Sequence, residues 1–280
     1  MNIKQIILVS VAVVALIGFF LFGKTKSTKK NVEAKAPASQ EEVFDIQQYL
    51  KLAKQNLKSK DTLTLIENAE NAFKVASEST AKQAAAENLA ALLVSAGDPL
   101  SSAYYYNEAA KLGNSAALWH GSGENFLALA HSISAPTTQS YLFDAAINAF
   151  QKAADAEPNN LNHKVKLGAA YVEQGTNPMQ GVTMLLDVAK QDSTNIDAQF
   201  TLGKFSMVSG QFEKAINRLE KVLHSQPQNS EALFLIAEAY RNMGNISKAV
   251  EYFEKCKQQI DNEAIRIEID RYIEETKNIK

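Results

Sequence analysis

A chain of 280 residues with 46% hydrophobic and 21% charged side chains is an ordinary globular composition with room for a continuous core. Its formal net charge of −2 gives no reason to expect a nucleic-acid partner, and one cysteine, Cys256, excludes an internal disulfide. Only 12 glycines and 6 prolines interrupt it, which suits a mostly helical protein. In chain order, the first predicted element is a membrane span. Between Lys4 and Lys24 lie 19 uncharged residues, Gln5 to Gly23, about the length a helix needs to cross a bilayer. A cleaved signal peptide is the competing reading, but Ala34-Lys35-Ala36 and Ala36-Pro37-Ala38, the first candidate cleavage sites, lie far beyond the apolar run. Residues 1–23 are therefore expected to be an uncleaved single-pass anchor in the plasma membrane. Lys24, Lys26, Lys29 and Lys30 come after the span while only Lys4 and the terminal amine precede it, a balance that favours the cytoplasmic side for the repeat domain. Export of the domain behind a single N-terminal anchor is the alternative.

Residues 24–41 are polar, lysine-rich and poor in apolar groups. They read as a flexible tether reaching on the order of 20 to 25 Å. Helical periodicity starts near Glu42 and runs through Leu57, and a second helix is predicted from Asp61 to about Glu78, with Ala69, Phe73 and Ala76 on one face. Leu89-Ala90, Leu93, Gly97, Ala103 and Ala110 come next at a spacing seen again downstream, but Asn107 stands where a large apolar residue is expected. The stretch from Asn114 to Ala156 carries extra length around Ala135-Pro136-Thr137-Thr138, predicted as a loop that interrupts the stack.

From Leu161 the pattern becomes regular. Leu202-Gly203, Gly210, Ala215, Leu219 and Val222 are followed 34 residues later by Ile236-Ala237, Gly244, Ala249, Phe253 and Cys256. Leu167-Gly168, Gly175, Gly181, Leu185 and Val188 form the preceding copy, with one extra residue in the turn at Asn177-Pro178. A hairpin of that length buries little alone, so copies must stack, with small residues where backbones approach and large ones filling the gap. Gly175, Gly210 and Gly244 stand where the first helix of each copy must stop and reverse. Past residue 262 a last helix carries Ile265, Ile269, Tyr272 and Ile273 on one face, as expected of a helix that caps the end of the stack.

These residues resemble the tetratricopeptide repeat (TPR): a Leu-Gly pair and a Tyr on the first helix, Ala and Phe on the second, Pro at the repeat end, with Tyr171, Tyr240, Pro158 and Pro227 in those places. The resemblance is specific over residues 161–262 and degenerate over 42–160. It implies an all-α, right-handed solenoid of about six antiparallel helix pairs with a capping helix at 263–280, which the apolar run at 5–23 is expected to precede as one transmembrane helix. It also implies a non-enzymatic scaffold that binds a protein or peptide partner in the groove lined by the first helices. The positions that the family places there include Lys166, Phe200, Lys204, Met207, Val208, Phe234, Leu235, Glu238 and Arg241. Phe200 and Phe234 are open to a second reading, as core packed between helices. Some TPR domains clamp a C-terminal carboxylate with Lys, Asn and Arg. The matching places here hold Asp197, Glu231, Val165 and Ala169, so that mode is not expected.

Catalytic, metal-binding and cofactor motifs are not evident, and no small-molecule substrate is expected. His120, His131, His163 and His224 stand apart without metal-ligand spacing. Gly121-Ser122-Gly123 lacks the outer residues of a nucleophile elbow. Asn245-Ile246-Ser247 fits a glycosylation sequon, but lies in a repeat turn where Asn caps a helix. An envelope assembly or chaperone factor on the far side of the membrane, similar to anchored TPR proteins that aid translocation or cytochrome c maturation, is the alternative function.

Overall fold

The computed structural model describes residues 44–57 and 59–279. The expected anchor at 5–23 and the tether at 24–41 lie outside them, and no helix among the described residues is long and apolar enough to cross a membrane. Those residues form thirteen α-helices: α1 (Ile46–Gln55), α2 (Lys60–Val75), α3 (Ser79–Ser95), α4 (Pro99–Gly113), α5 (Ala116–Ser132), α6 (Pro136–Ala156), α7 (Leu161–Gln174), α8 (Pro178–Gln191), α9 (Ile196–Val208), α10 (Phe212–Ser225), α11 (Ser230–Asn242), α12 (Ile246–Gln258) and α13 (Glu263–Lys277). Helices α3/α4, α5/α6, α7/α8, α9/α10 and α11/α12 pack as pairs, each pair rests on the next, and α13 rests on α12.

The repeat pattern has a direct geometric cause. A Cβ placed on Gly203 would lie 2.9 Å from Leu219 Cγ, so α9 and α10 touch where the chain has no side chain to interpose. Gly168 and Gly181 oppose each other more closely still, the carbonyl of Gly168 filling the space a side chain at 181 would need. Leu185, Leu219 and Phe253 are fully buried one turn beyond those contacts. The reversals at Gly210 and Gly244 are alike in kind. Each glycine has positive φ (+71° and +75°), and the next residue's N–H reaches back to Ser206 or Tyr240 in a Schellman bond of 2.8 or 2.9 Å. Asparagines start the first helices at the same period. Asn195, Asn229 and Asn262 accept from the N–H three residues on, at 3.0, 2.9 and 3.2 Å, and Asn160 caps α7. Asn245 Oδ1 accepts from Lys248 N–H in the same way, so the sequon residue is a helix cap.

Three expectations need correction. The extra length near Pro136 is not a projecting loop. Only Ile133 to Ala135 separate α5 from α6, and the added residues lengthen helices instead, α6 having 21 against 14 in α8. The first two helices do not make a sixth hairpin. Phe44, Ile46 and Tyr49 pack on the core formed by Leu100, Phe126, Leu142 and Phe143, so α1 lies against α4 rather than along α2. Phe44 meets Tyr141 at 5.0 Å between ring centroids, and Tyr49 Oη donates to Asp98 at 3.1 Å. An ion pair of 2.7 Å from Lys54 to Glu70 still joins α1 to α2. The histidines, finally, are not all apart: His120 Nδ1 lies 2.9 Å from His163 Nδ1 across α5 and α7. Asn107, out of pattern in sequence, accepts from the buried Ser122 hydroxyl at 3.1 Å, which accounts for both polar residues.

Candidate interaction groove

First helices α5, α7 and α9 lie side by side, α7 reaching α9 directly. Between them runs a groove of about 300 Å³, lined by Glu124, Leu127, Ala128 and His131 of α5, Val165, Lys166, Ala169 and Glu173 of α7, and Asp197, Phe200 and Thr201 of α9. The α7 set recurs at four- and three-residue steps, one face of a helix, because its opposite face is spent on the Gly168 contact with α8. The floor is apolar or small: Val165 and Ala169 are buried, and Phe200 is partly so. Charge sits on the rim. Lys166 Nζ is 3.0 Å from Glu124, and His131 Nε2 is 2.7 Å from Glu173.

Of the nine residues expected in a groove, Lys166 and Phe200 line this one. Lys204 lies next to it, its ammonium 5.5 Å from the centre of the Phe200 ring and 3.7 Å from Glu231. Met207 joins the core shared by α10 and α11, while Val208 is 68% exposed at the helix end. Phe234 and Leu235 pack against that same core. Phe234 stacks edge-on against both Phe253 and Tyr272, each at 5.4 Å, so α13 covers it. Glu238 and Arg241 pair at 2.8 Å under the same helix, with Arg241 5.6 Å from the Tyr272 ring. Burial pushes the Glu238 carboxyl above the usual range against the pull of Arg241, and its Oε1 has no hydrogen-bond partner among the described residues. The structure thus places Lys166, Phe200 and Lys204 at the central groove and Phe234, Glu238 and Arg241 beneath the capping helix, with Met207, Val208 and Leu235 in neither group. It adds Glu124, Leu127, Ala128 and His131, which repeat spacing does not reach: Gly123, on α5, stands 45 residues before Gly168, so the 34-residue register breaks there.

Nothing in the groove has the arrangement of a nucleophile with its base. Ser122 is buried and bonded to Asn107. No group of three or more His, Cys, Asp or Glu that could hold a metal ion occurs among the described residues. Cys256 is buried beside the Ser230 carbonyl, and burial raises its thiol pKa to about 12, which makes it a packing residue.

Residues 207–266 match the tetratricopeptide repeat family model, so the chain carries that repeat in its C-terminal half. A curated relative, lipopolysaccharide assembly protein B of Haemophilus influenzae, is 25% identical over 136 residues, which is 46% of this chain and 34% of the relative. The chain thus spans about a third of the length of that relative. Among solved structures, PilW, described as a widely conserved type IV pilus biogenesis factor, is similar at TM-score 0.55 and 20% identity, covering 69% of this chain and 85% of that one. MamA residues 41 to end from Desulfovibrio magneticus RS-1 is similar at TM-score 0.50 and 17% identity, covering 63% and 94%. At these identities the structural likenesses establish the fold, an all-α TPR-like solenoid.

Proposed function

We propose that the chain is a non-enzymatic scaffold, anchored in the plasma membrane through residues 5–23, which binds a protein or peptide partner along the groove of α5, α7 and α9. The observation that carries this reading is the apolar floor itself. Val165, Ala169 and Phe200 come from two successive pairs and Leu127 and Ala128 from a third, forming one continuous surface with an uncovered side. At the C-terminal end of the stack, by contrast, α13 covers the equivalent floor at Phe234. An extended or helical segment laid along the first helices would bury that surface, as grooves of this type do.

A photo-crosslinking residue introduced at Ala169 or Thr201 in intact membranes should trap a partner that the same residue at Lys221, on the outer face of α10, does not. Trapping only at Lys221 overturns the groove reading. The lysine balance around residues 5–23 favours the cytoplasm for the domain. The likeness to lipopolysaccharide assembly protein B favours a second reading, a factor in envelope assembly, and it gives the identity of the trapped partner its interest.

A further inference from the structure

We propose that the segment received by this groove presents a lysine or arginine to Asp197, next to an apolar side chain over Phe200; the proposal rests on the groove reading above. The lining contains three carboxylates, Glu124, Glu173 and Asp197, against one lysine, Lys166. Two of the three are already engaged, Glu124 by Lys166 at 3.0 Å and Glu173 by His131 at 2.7 Å. Asp197 is exposed and makes no ion pair among the described residues. The lysine on the same helix, Lys204, is drawn elsewhere, since it lies over the Phe200 ring and reaches 3.7 Å to Glu231, the residue that matches Asp197 one repeat later. The same place in two consecutive repeats thus holds a neutralised carboxylate in one and an open one in the other, and the open one borders the groove. An acidic segment would meet like charge at Glu124, Glu173 and Asp197, whereas a basic one pairs with the carboxylate that no cation of the chain neutralises among the described residues.

The spacing specifies the motif further. Asp197 and Phe200 are three residues apart on one face of α9, roughly 5 to 6 Å between their Cβ atoms. In an extended segment, side chains pointing the same way recur at every second residue, about 7 Å apart. A basic residue two positions from a Leu, Ile, Met or Phe fits both contacts. Asp197 also lies in the first turn of its helix, where a carboxylate is favoured by the dipole. That role is local and makes no prediction about a partner's charge.

The test is a selection of random nonapeptides on full-length protein held in nanodiscs, run in parallel on the wild type and on Asp197→Lys. Wild-type protein should enrich peptides with Lys or Arg two residues from a large apolar residue, binding at least tenfold more tightly than their Lys-to-Glu versions at low ionic strength. That preference should shrink at 0.5 M salt to about threefold or less. The Asp197→Lys protein should enrich Asp or Glu at the same place, while Asp187→Lys, an exposed change on α8, should leave the wild-type preference intact. Enrichment of acidic or uncharged peptides by the wild type, or an unchanged preference in Asp197→Lys, overturns the proposal. Selected peptides that crosslink to position 221 and not to positions 169 or 201 overturn the groove reading with it. Peptides that crosslink in the groove but carry no basic residue overturn the charge assignment alone.

Discussion

A methyl group added at Gly181 would run into the carbonyl of Gly168 on the facing helix, with Tyr171 Cβ at 2.9 Å on its other side. Backbone cannot turn aside, so Gly181→Ala must push α7 and α8 apart, at a cost of about 2 to 3 kcal/mol. The same change at Gly203 meets a side chain, the Cγ and one methyl of the buried Leu219 at 2.9 and 3.0 Å, which must shift within the core. Replacing a helical glycine gains up to about 1 kcal/mol of propensity against that cost, so Gly203→Ala should lose less than Gly181→Ala, about 1 to 2 kcal/mol. Urea titration of both proteins decides the matter, and equal losses would mean that side chains and backbone yield alike at these contacts. A second prediction concerns His120. Burial, reinforced by His163, holds its pKa below the ordinary 6.5; Glu124 pulls the other way and Lys166 on α7 adds to the lowering. As pH falls from 6.5 toward that lowered value, the unfolded chain takes up a proton that the folded one refuses, so stability declines over that window and is fully present above it. His120→Gln should flatten the decline. An undiminished slope in the variant would place its origin in other groups.

Helix boundaries and faces were legible wherever one element repeats at a fixed period, and hidden where the period breaks. From α7 to α12 the small and large positions alone locate both helices of each pair, because a small residue at the helix contact, Gly181, Ala215 or Ala249, is followed by buried large or medium residues four and seven positions on. Upstream, α5 and α6 keep the same architecture with longer helices, and an unchanged period could not find Glu124 or His131. The asparagine caps were a second periodic signal, carried at Asn195, Asn229 and Asn262, that the hydrophobic pattern does not contain. Groove and core share the first-helix face, and sequence cannot tell which of two equivalent phenylalanines an extra helix will cover. Phe200 borders the open groove, whereas Phe234 stacks on Phe253 and Tyr272. Both rings are half-buried, so the difference lies in their partners: Phe234→Ala removes two aromatic contacts and should cost about 3 kcal/mol, whereas Phe200→Ala removes none among the described residues and should cost less, about 1 to 2 kcal/mol. Thermal unfolding of the two variants checks the order, and a larger loss at Phe200 would reverse the assignment of the two rings to open and covered groups.

Each helix pair touches its neighbours along the stack, and the longer-range helix contacts skip one helix, as between α7, α9 and α11, except where α1 reaches α4. A chain built in this way gains stability from repeats and from the interfaces between them, and openings can begin at either end. The two ends are protected differently. At the start, α1 folds back across α4 through Phe44, Ile46 and Tyr49, so the leading helices are tied to the second pair as well as the first. At the finish, α13 alone seals the stack, with Ile269, Tyr272 and Ile273 all at least 97% buried, Asp270 paired with Lys257 of α12, and its outer face carrying Arg266, Glu274 and Lys277. Removing residues 263–280 would expose Phe234 and Phe253 and forfeit the burial of three large side chains, roughly 5 to 9 kcal/mol. If stability is carried by nearest neighbours, that loss stays near the cut. Hydrogen exchange of the truncated protein should show α11 and α12 exchanging much faster and α9 and α10 somewhat faster, while α3 to α6 keep the protection they have in the full chain. A uniform rise in exchange from α3 to α12 would instead mean that the stack opens as one cooperative unit, and that the C-terminal helix stabilises the distant groove as much as its own neighbours.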